Sequence, residues 1–121
     1  MYIDMKNYSI ATADWARTEF HEILGLTWAE LSVNNLPAWA SVPFIHSHKE
    51  NEEIYIILDG RWTLSIDDEK VEIKKGDIIK IAPNGKRQFF AASDSSLSYV
   101  CIQVKENSLT QYTANDAIIE E

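Results

Sequence analysis

The stretch whose residue types could do chemistry is His46-Ser47-His48, followed after four intervening residues by Glu53. On a strand, residues i and i+2 project to the same side about 7 Å apart along the backbone, so the two imidazoles would share one face. A carboxylate arriving from the start of an adjacent antiparallel strand could face the same point. Two nitrogens and one oxygen on a facial arc suit Mn, Fe, Co, Ni or Zn, with positions left open for water or substrate, and spacing does not choose among these metals. Glu52 competes with Glu53, but adjacent strand residues point to opposite faces, so only one of them can join the imidazoles. His21 has no partner ligands near it and reads as a strand-surface or subunit-contact residue.

Short strands must position these groups. From Arg17 onward, apolar residues recur with period 2 more often than 3.6, and turn residues punctuate the chain at short intervals. The pattern predicts strands through Phe20 to Leu24, Leu26 to Val33, Val42 to His48 and Glu53 to Leu58. Asn34-Asn35-Leu36-Pro37 reads as a break, and Asp59-Gly60 as a tight hairpin turn. Trp62, Leu64 and Ile66 share one face of the next strand. Val71 and Ile73 alternate with charges, Ile78 to Ile81 follows the turn Lys75-Gly76-Asp77, and Gln88 to Ala91 and Leu97 to Val104 complete the series. About nine short strands in so few residues suit an all-β closed barrel or jelly roll, because closure removes exposed edges. One domain over residues 17–106 is expected, with an arm at 1–16 and a tail at 107–121. Trp15 and the Ile118-Ile119 pair are apolar enough to dock against it.

Composition limits the partners. The 121 residues are 45% hydrophobic and 25% charged, as in an ordinary globular domain, and 19 acidic against 11 basic side chains give a formal charge of −8. That sign repels a phosphate backbone, so nucleic acid is not an expected partner. The longest apolar runs, such as Ile54 to Leu58, fall far short of the roughly 20 residues of a membrane-spanning helix, and no apolar leader follows Met1; a cytoplasmic protein is expected. Cys101 is alone, cannot form an internal disulfide, and sits in the apolar run Tyr99 to Ile102, where a buried small hydrophobe is the ordinary reading.

The spacing of His46, His48, Glu53 and Gly60 resembles the first motif of the cupin superfamily, G-x5-H-x-H-x(3 or 4)-E-x6-G, with Ala40 where the leading glycine would fall. Gly76, Pro83, Gly85 and Gln88 resemble the second motif, with one extra residue before the proline, and 15 residues separate Gly60 from Gly76, as in small single-domain bacterial cupins. The resemblance implies a jelly-roll barrel and favours Glu53 over Glu52 as the third ligand. It places Gln88 at the position of the family's fourth ligand histidine and Ala92 at the closing asparagine. A glutamine oxygen is a weaker donor than imidazole, so Gln88 is either a ligand or a donor that supports one. Lys86-Arg87 reads as a solvated turn whose cations could attract an anionic substrate.

By alternation from these ligands, Phe44, Tyr55, Ile57 and Phe90 should share the inward face and line a cavity for a small-molecule ligand. Trp28, Trp39 and Trp62 stand where small cupins commonly carry glycine or other small residues. The ordinary reading is core or interface filling; the sharper one is that they shape an apolar pocket, as an engineered cavity would. The resemblance implies a metalloenzyme, with isomerisation, decarboxylation, lyase and dioxygenation chemistry all open. Tyr55 is the candidate catalytic proton donor and Cys101 a second inward one. The alternatives are a non-catalytic small-molecule-binding module and a metal-free barrel. Ile54, Ile56 and Leu58 on the outer face would expose an apolar patch, so a homodimer is expected.

Overall fold

The computed structural model describes residues 7–14, 16–40, 42 and 44–120, so the expected docking of Trp15 lies outside the described residues. The described residues form seven strands: β1 (Arg17–Glu19), β2 (Glu30–Leu36), β3 (Asn51–Ile66), β4 (Glu69–Lys74), β5 (Ile78–Ile81), β6 (Arg87–Phe90) and β7 (Leu97–Lys105). A short helix, α1 (His21–Leu24), lies between β1 and β2. The architecture is the expected all-β jelly roll, and every strand pair is antiparallel.

The centre of the fold is β3, which is long enough to belong to both layers. Its first half pairs with β7 and β5, in the order β1-β2-β7-β3-β5; its second half pairs with β4 and β6. The expected hairpin at Asp59-Gly60 is therefore a corner inside one strand. Register slips between Ile57 and Asp59, and Gly60 takes φ +88 with the Ser96 carbonyl where a Cβ would sit, 1.8 Å away. Only glycine meets both demands, so a residue pair that favours turns instead lets the strand pass from one layer to the other. The true hairpin comes at Asp67 and Asp68, both with positive φ, which joins β3 to β4.

Other boundaries also move. Phe20 to Leu24 is not a strand, because the chain coils at α1 and stops at Gly25, whose φ of +66 turns the next N–H, that of Leu26, back to the His21 carbonyl. Asn34 continues β2 instead of breaking it: the side chain is buried, donates to Ser32 Oγ and accepts from Arg17 Nη1, which meets its polar needs inside the sheet. The segment through Val42 to His48 is not a strand; among its described residues only His46 pairs, in a single bridge to Arg87. His21 is exposed on α1 with Nδ1 2.9 Å from the Ala29 carbonyl.

The core is a continuous apolar cluster that includes Ile57, Trp62, Leu64, Ile73, Phe89 and Leu97. Across the outer face of the first layer runs a second apolar surface. Leu31, Ile102 and Ile54 lie side by side in register, and Val33, Val100, Ile56 and Ile78 form the next row.

Candidate metal centre

His46, His48 and Glu53 converge at one end of the barrel, with one ligand atom from each lying within 4.8 Å of the others. Glu53 comes from the start of β3, opposite Gln103 of β7, and its side chain is only 3% exposed. The histidines come from an irregular segment that the neighbouring loop holds in place. His46 exchanges two backbone hydrogen bonds with Arg87, at 3.1 and 3.0 Å, and the His48 N–H donates to the Pro83 carbonyl at 2.8 Å. Two backbone anchors thus do what a strand was expected to do.

Glu53 is densely satisfied. Its Oε1 accepts from Arg87 Nη1 at 2.5 Å and from the Tyr55 hydroxyl at 2.8 Å, while Oε2 accepts from the Cys101 thiol at 3.2 Å. Burial pushes the carboxyl up, but the hydrogen bonds from Arg87, Tyr55 and Cys101, together with nearby His48, outweigh it and hold Glu53 below its ordinary 4.5. The imidazoles are the reverse case. His46 Nδ1 and His48 Nε2 are buried and make no hydrogen bond, although His48 Nε2 stands 3.3 Å from Glu53 Oε2 and His46 Nε2 3.8 Å from Oε1. Burial lowers the His46 pKa; Glu53 opposes this and His48 and Arg87 add to it, so the ring stays neutral near pH 7 with a lone pair to offer.

A cavity of about 550 Å³ opens above the three groups. Phe44, Tyr55, Phe89, Tyr99 and Cys101 form its walls, Gln103 lies beside the acid, and Arg17 and Asn34 stand at the β1–β2 side. Tyr55 and Cys101 therefore line it as expected, but their protons point at Glu53. Burial is the first cause that pushes both groups well above their ordinary pKa values, with Glu53 adding to it. In this arrangement the Tyr55 hydroxyl is committed to Glu53 and orients the carboxylate.

The inward register on β6 differs from the expectation by one residue. Arg87 and Phe89 are buried, whereas Phe90 is exposed and carries Lys70 above its ring at 5.6 Å. Gln88 points away from the three ligands, pairs with Ser65 in the sheet and donates from Nε2 to the Val42 carbonyl at 3.0 Å. The reason is the His46–Arg87 bridge: directly opposed residues face the same side, so Arg87, and not Gln88, shares the side of His46. Ile57 is in the core below the cavity. None of the three tryptophans lines it. Trp62 is 3% exposed in the core with its indole N–H on the Ser95 carbonyl, Trp28 donates to Ser108 Oγ at the surface, and Trp39 is 82% exposed. Arg87 is no solvated turn residue but the most buried polar side chain described, at 0% exposure. Sequence reading missed it, together with Phe89, Tyr99 and Gln103. Alternation along β7 from Cys101 carries the signal for the last two.

Residues 35–103 match the family model described as Cupin domain. The crystal structure of a cupin protein from Bacteroides fragilis superposes with a TM-score of 0.92 at 54% identity, covering 97% of this chain and 100% of that one. A predicted oxalate decarboxylase from Thermotoga maritima shares the fold, with a TM-score of 0.58 at 24% identity over 62% of this chain and 64% of that one. An uncharacterized protein of Methanocaldococcus jannaschii is 39% identical over 61 residues, which span 50% of this chain and 49% of that protein, so the match reaches about half of the relative's length. Among the described residues no helix is long and apolar enough to cross a membrane.

Proposed function

Since this chain belongs to the cupin family, we propose that its barrel mouth is a divalent-metal centre formed by His46, His48 and Glu53, opening onto a pocket for a small organic molecule. The observation that carries the reading is the pair of buried imidazole nitrogens that have no hydrogen-bond partner beside a buried ionised carboxylate. Unpartnered buried polar atoms are costly, and a cation held by one ring nitrogen of each histidine and by Glu53 would give these groups a partner. The donor set of two imidazoles and one carboxylate fits Mn, Fe, Co, Ni or Zn. When bound, such an ion supplies a Lewis acid for a substrate carbonyl, carboxylate or hydroxyl. The chain's own residues do the rest: Arg87 and Tyr55 orient Glu53, while Phe44, Phe89 and Tyr99 provide apolar walls that exclude water and suit a ligand with an aromatic or branched group. A metalloenzyme is the reading this favours.

The Glu53–Arg87 ion pair supports a second reading, a small-molecule-binding barrel that needs no metal, because the carboxylate is already neutralised. Elemental analysis of protein purified from metal-replete cells separates the two. The metal reading expects close to one equivalent in the wild type and its loss in the His46→Ala/His48→Ala double variant; less than about a tenth of an equivalent in the wild type favours the metal-free reading.

We also infer that two copies pair through the outer face of the first layer. Its two in-register apolar rows carry no acidic residue in a chain of net charge −8. A monomer by light scattering at micromolar concentration would overturn this. We further propose a cytoplasmic location, a reading with which a free, buried Cys101 is compatible.

A further inference from the structure

Among the described residues the largest side chain with no solvent exposure is a guanidinium, and it is aimed at the acid of the candidate metal centre. The Arg87 Nε–H donates to the Gly85 carbonyl at 3.0 Å, and Nη2 donates to the carbonyls of Gly85, Ala82 and Pro83 at 2.7, 2.8 and 3.2 Å. Nη1 reaches Glu53 Oε1. The loop around Gly85 thus forms a cage of carbonyl dipoles that leaves the cation no route away from the carboxylate. This is more than a buried acid needs for orientation, since the Tyr55 hydroxyl and the Cys101 thiol already hold both oxygens.

A buried carboxylate requires a countercharge, and a metal ion would be one. Here the countercharge is built into the chain. The imidazoles stand on the other side of the same carboxylate, with His48 Nε2 near Oε2. A divalent ion held there would share Glu53 with a fixed guanidinium, and two like charges on one acid oppose each other strongly at short range.

We propose that Arg87 is an internal stand-in for the metal: it holds the charge of Glu53 when no ion is bound, and ion and guanidinium compete for that carboxylate. This inference rests on the metal reading of His46, His48 and Glu53. The site then stays assembled without metal and releases it readily, because an incoming ion must weaken the Arg87–Glu53 pair.

The test compares Zn²⁺ affinity, by competition with a chromogenic chelator at pH 8, in the wild type and in Arg87→Met. Competition predicts that the variant binds Zn²⁺ about tenfold or more tightly, a coupling within the usual range for two ligands that share a site. A residue that merely orients Glu53 predicts the opposite, about ten- to hundredfold weaker binding on its removal, and that result or equal affinity overturns the proposal. Should Arg87→Met fail to fold, wild-type protein suffices: nitrogen NMR of the Arg87 guanidinium should show faster rotation as Zn²⁺ is added, whereas unchanged or slower rotation overturns the idea. If Arg87→Met alone binds Zn²⁺, the wild type holds no ion, the metal reading of the native chain has failed and the proposal is overturned with it. If neither protein binds it, the metal reading itself has failed and this inference falls with it.

Discussion

The acid and the imidazoles of the candidate centre sit a few ångströms apart yet are built in opposite ways. Glu53 lies in the middle of a regular sheet and has a partner at each oxygen, including a guanidinium with no exposure. His46 and His48 lie on an irregular segment, anchored through their backbones, and each keeps a buried ring nitrogen that makes no hydrogen bond among the described residues. The first arrangement is complete in the chain alone. The second is complete only when something else arrives, which is why the histidine side marks function and the acid side marks stability.

That contrast predicts its largest effect for Glu53→Ala. The substitution strands a fully buried guanidinium, and urea denaturation should show a loss of about 3–5 kcal/mol, the usual result of breaking one half of a buried ion pair. A loss below about 1 kcal/mol would mean that water reaches Arg87 and that the acid side is not the rigid half.

The His46→Ala/His48→Ala double variant should behave differently. With chelator present its stability should stay within about 1 kcal/mol of the wild type, because orphaned groups contribute little to the metal-free fold. A large loss would show that the imidazoles are structural.

Acid should separate the two halves by pH. His46 and Glu53 both have folded pKa values below their ordinary 6.5 and 4.5, so the unfolded chain takes up protons first and stability falls as pH falls. For chelated protein the decline should begin below 6.5 and steepen below 4.5, and Glu53→Gln should remove the lower step while leaving the upper one. Stability that is flat from pH 7 to 4 would contradict both directions.

The smallest effect is expected at Gln88. Its amide serves the Val42 carbonyl, so Gln88→Ala should cost about 1 kcal/mol and leave metal content unchanged. Loss of metal in this variant would return Gln88 to the ligand set.

How far the site could be read from sequence follows from how local each signal is. His46, His48 and Glu53 fall within eight positions, and their spacing survives even though the histidine segment is not a strand. Gln88 and Phe90 failed because a period of two makes a one-residue slip invert every assignment on β6, and the slip is set by a bridge to His46 that no local pattern announces. Arg87 was hidden for a related reason. Its burial depends on three carbonyls of the preceding loop, and a lysine-arginine pair beside a glycine reads as solvent-facing. Gly60 was recognised as special but given the wrong task, since positive φ serves a corner within a strand as well as a hairpin. The tryptophans show the limit of bulk alone: one fills the core and two remain at the surface.

The central claim is that two unsatisfied imidazoles and a fixed acid grip a cation. Crystals of wild-type protein grown with Zn²⁺, measured above and below the zinc absorption edge, test it most directly. An anomalous peak in contact with His46, His48 and Glu53, absent from the double histidine variant, is the predicted result. A map without a peak there, from protein with both rings ordered and Glu53 still paired to Arg87, would contradict it.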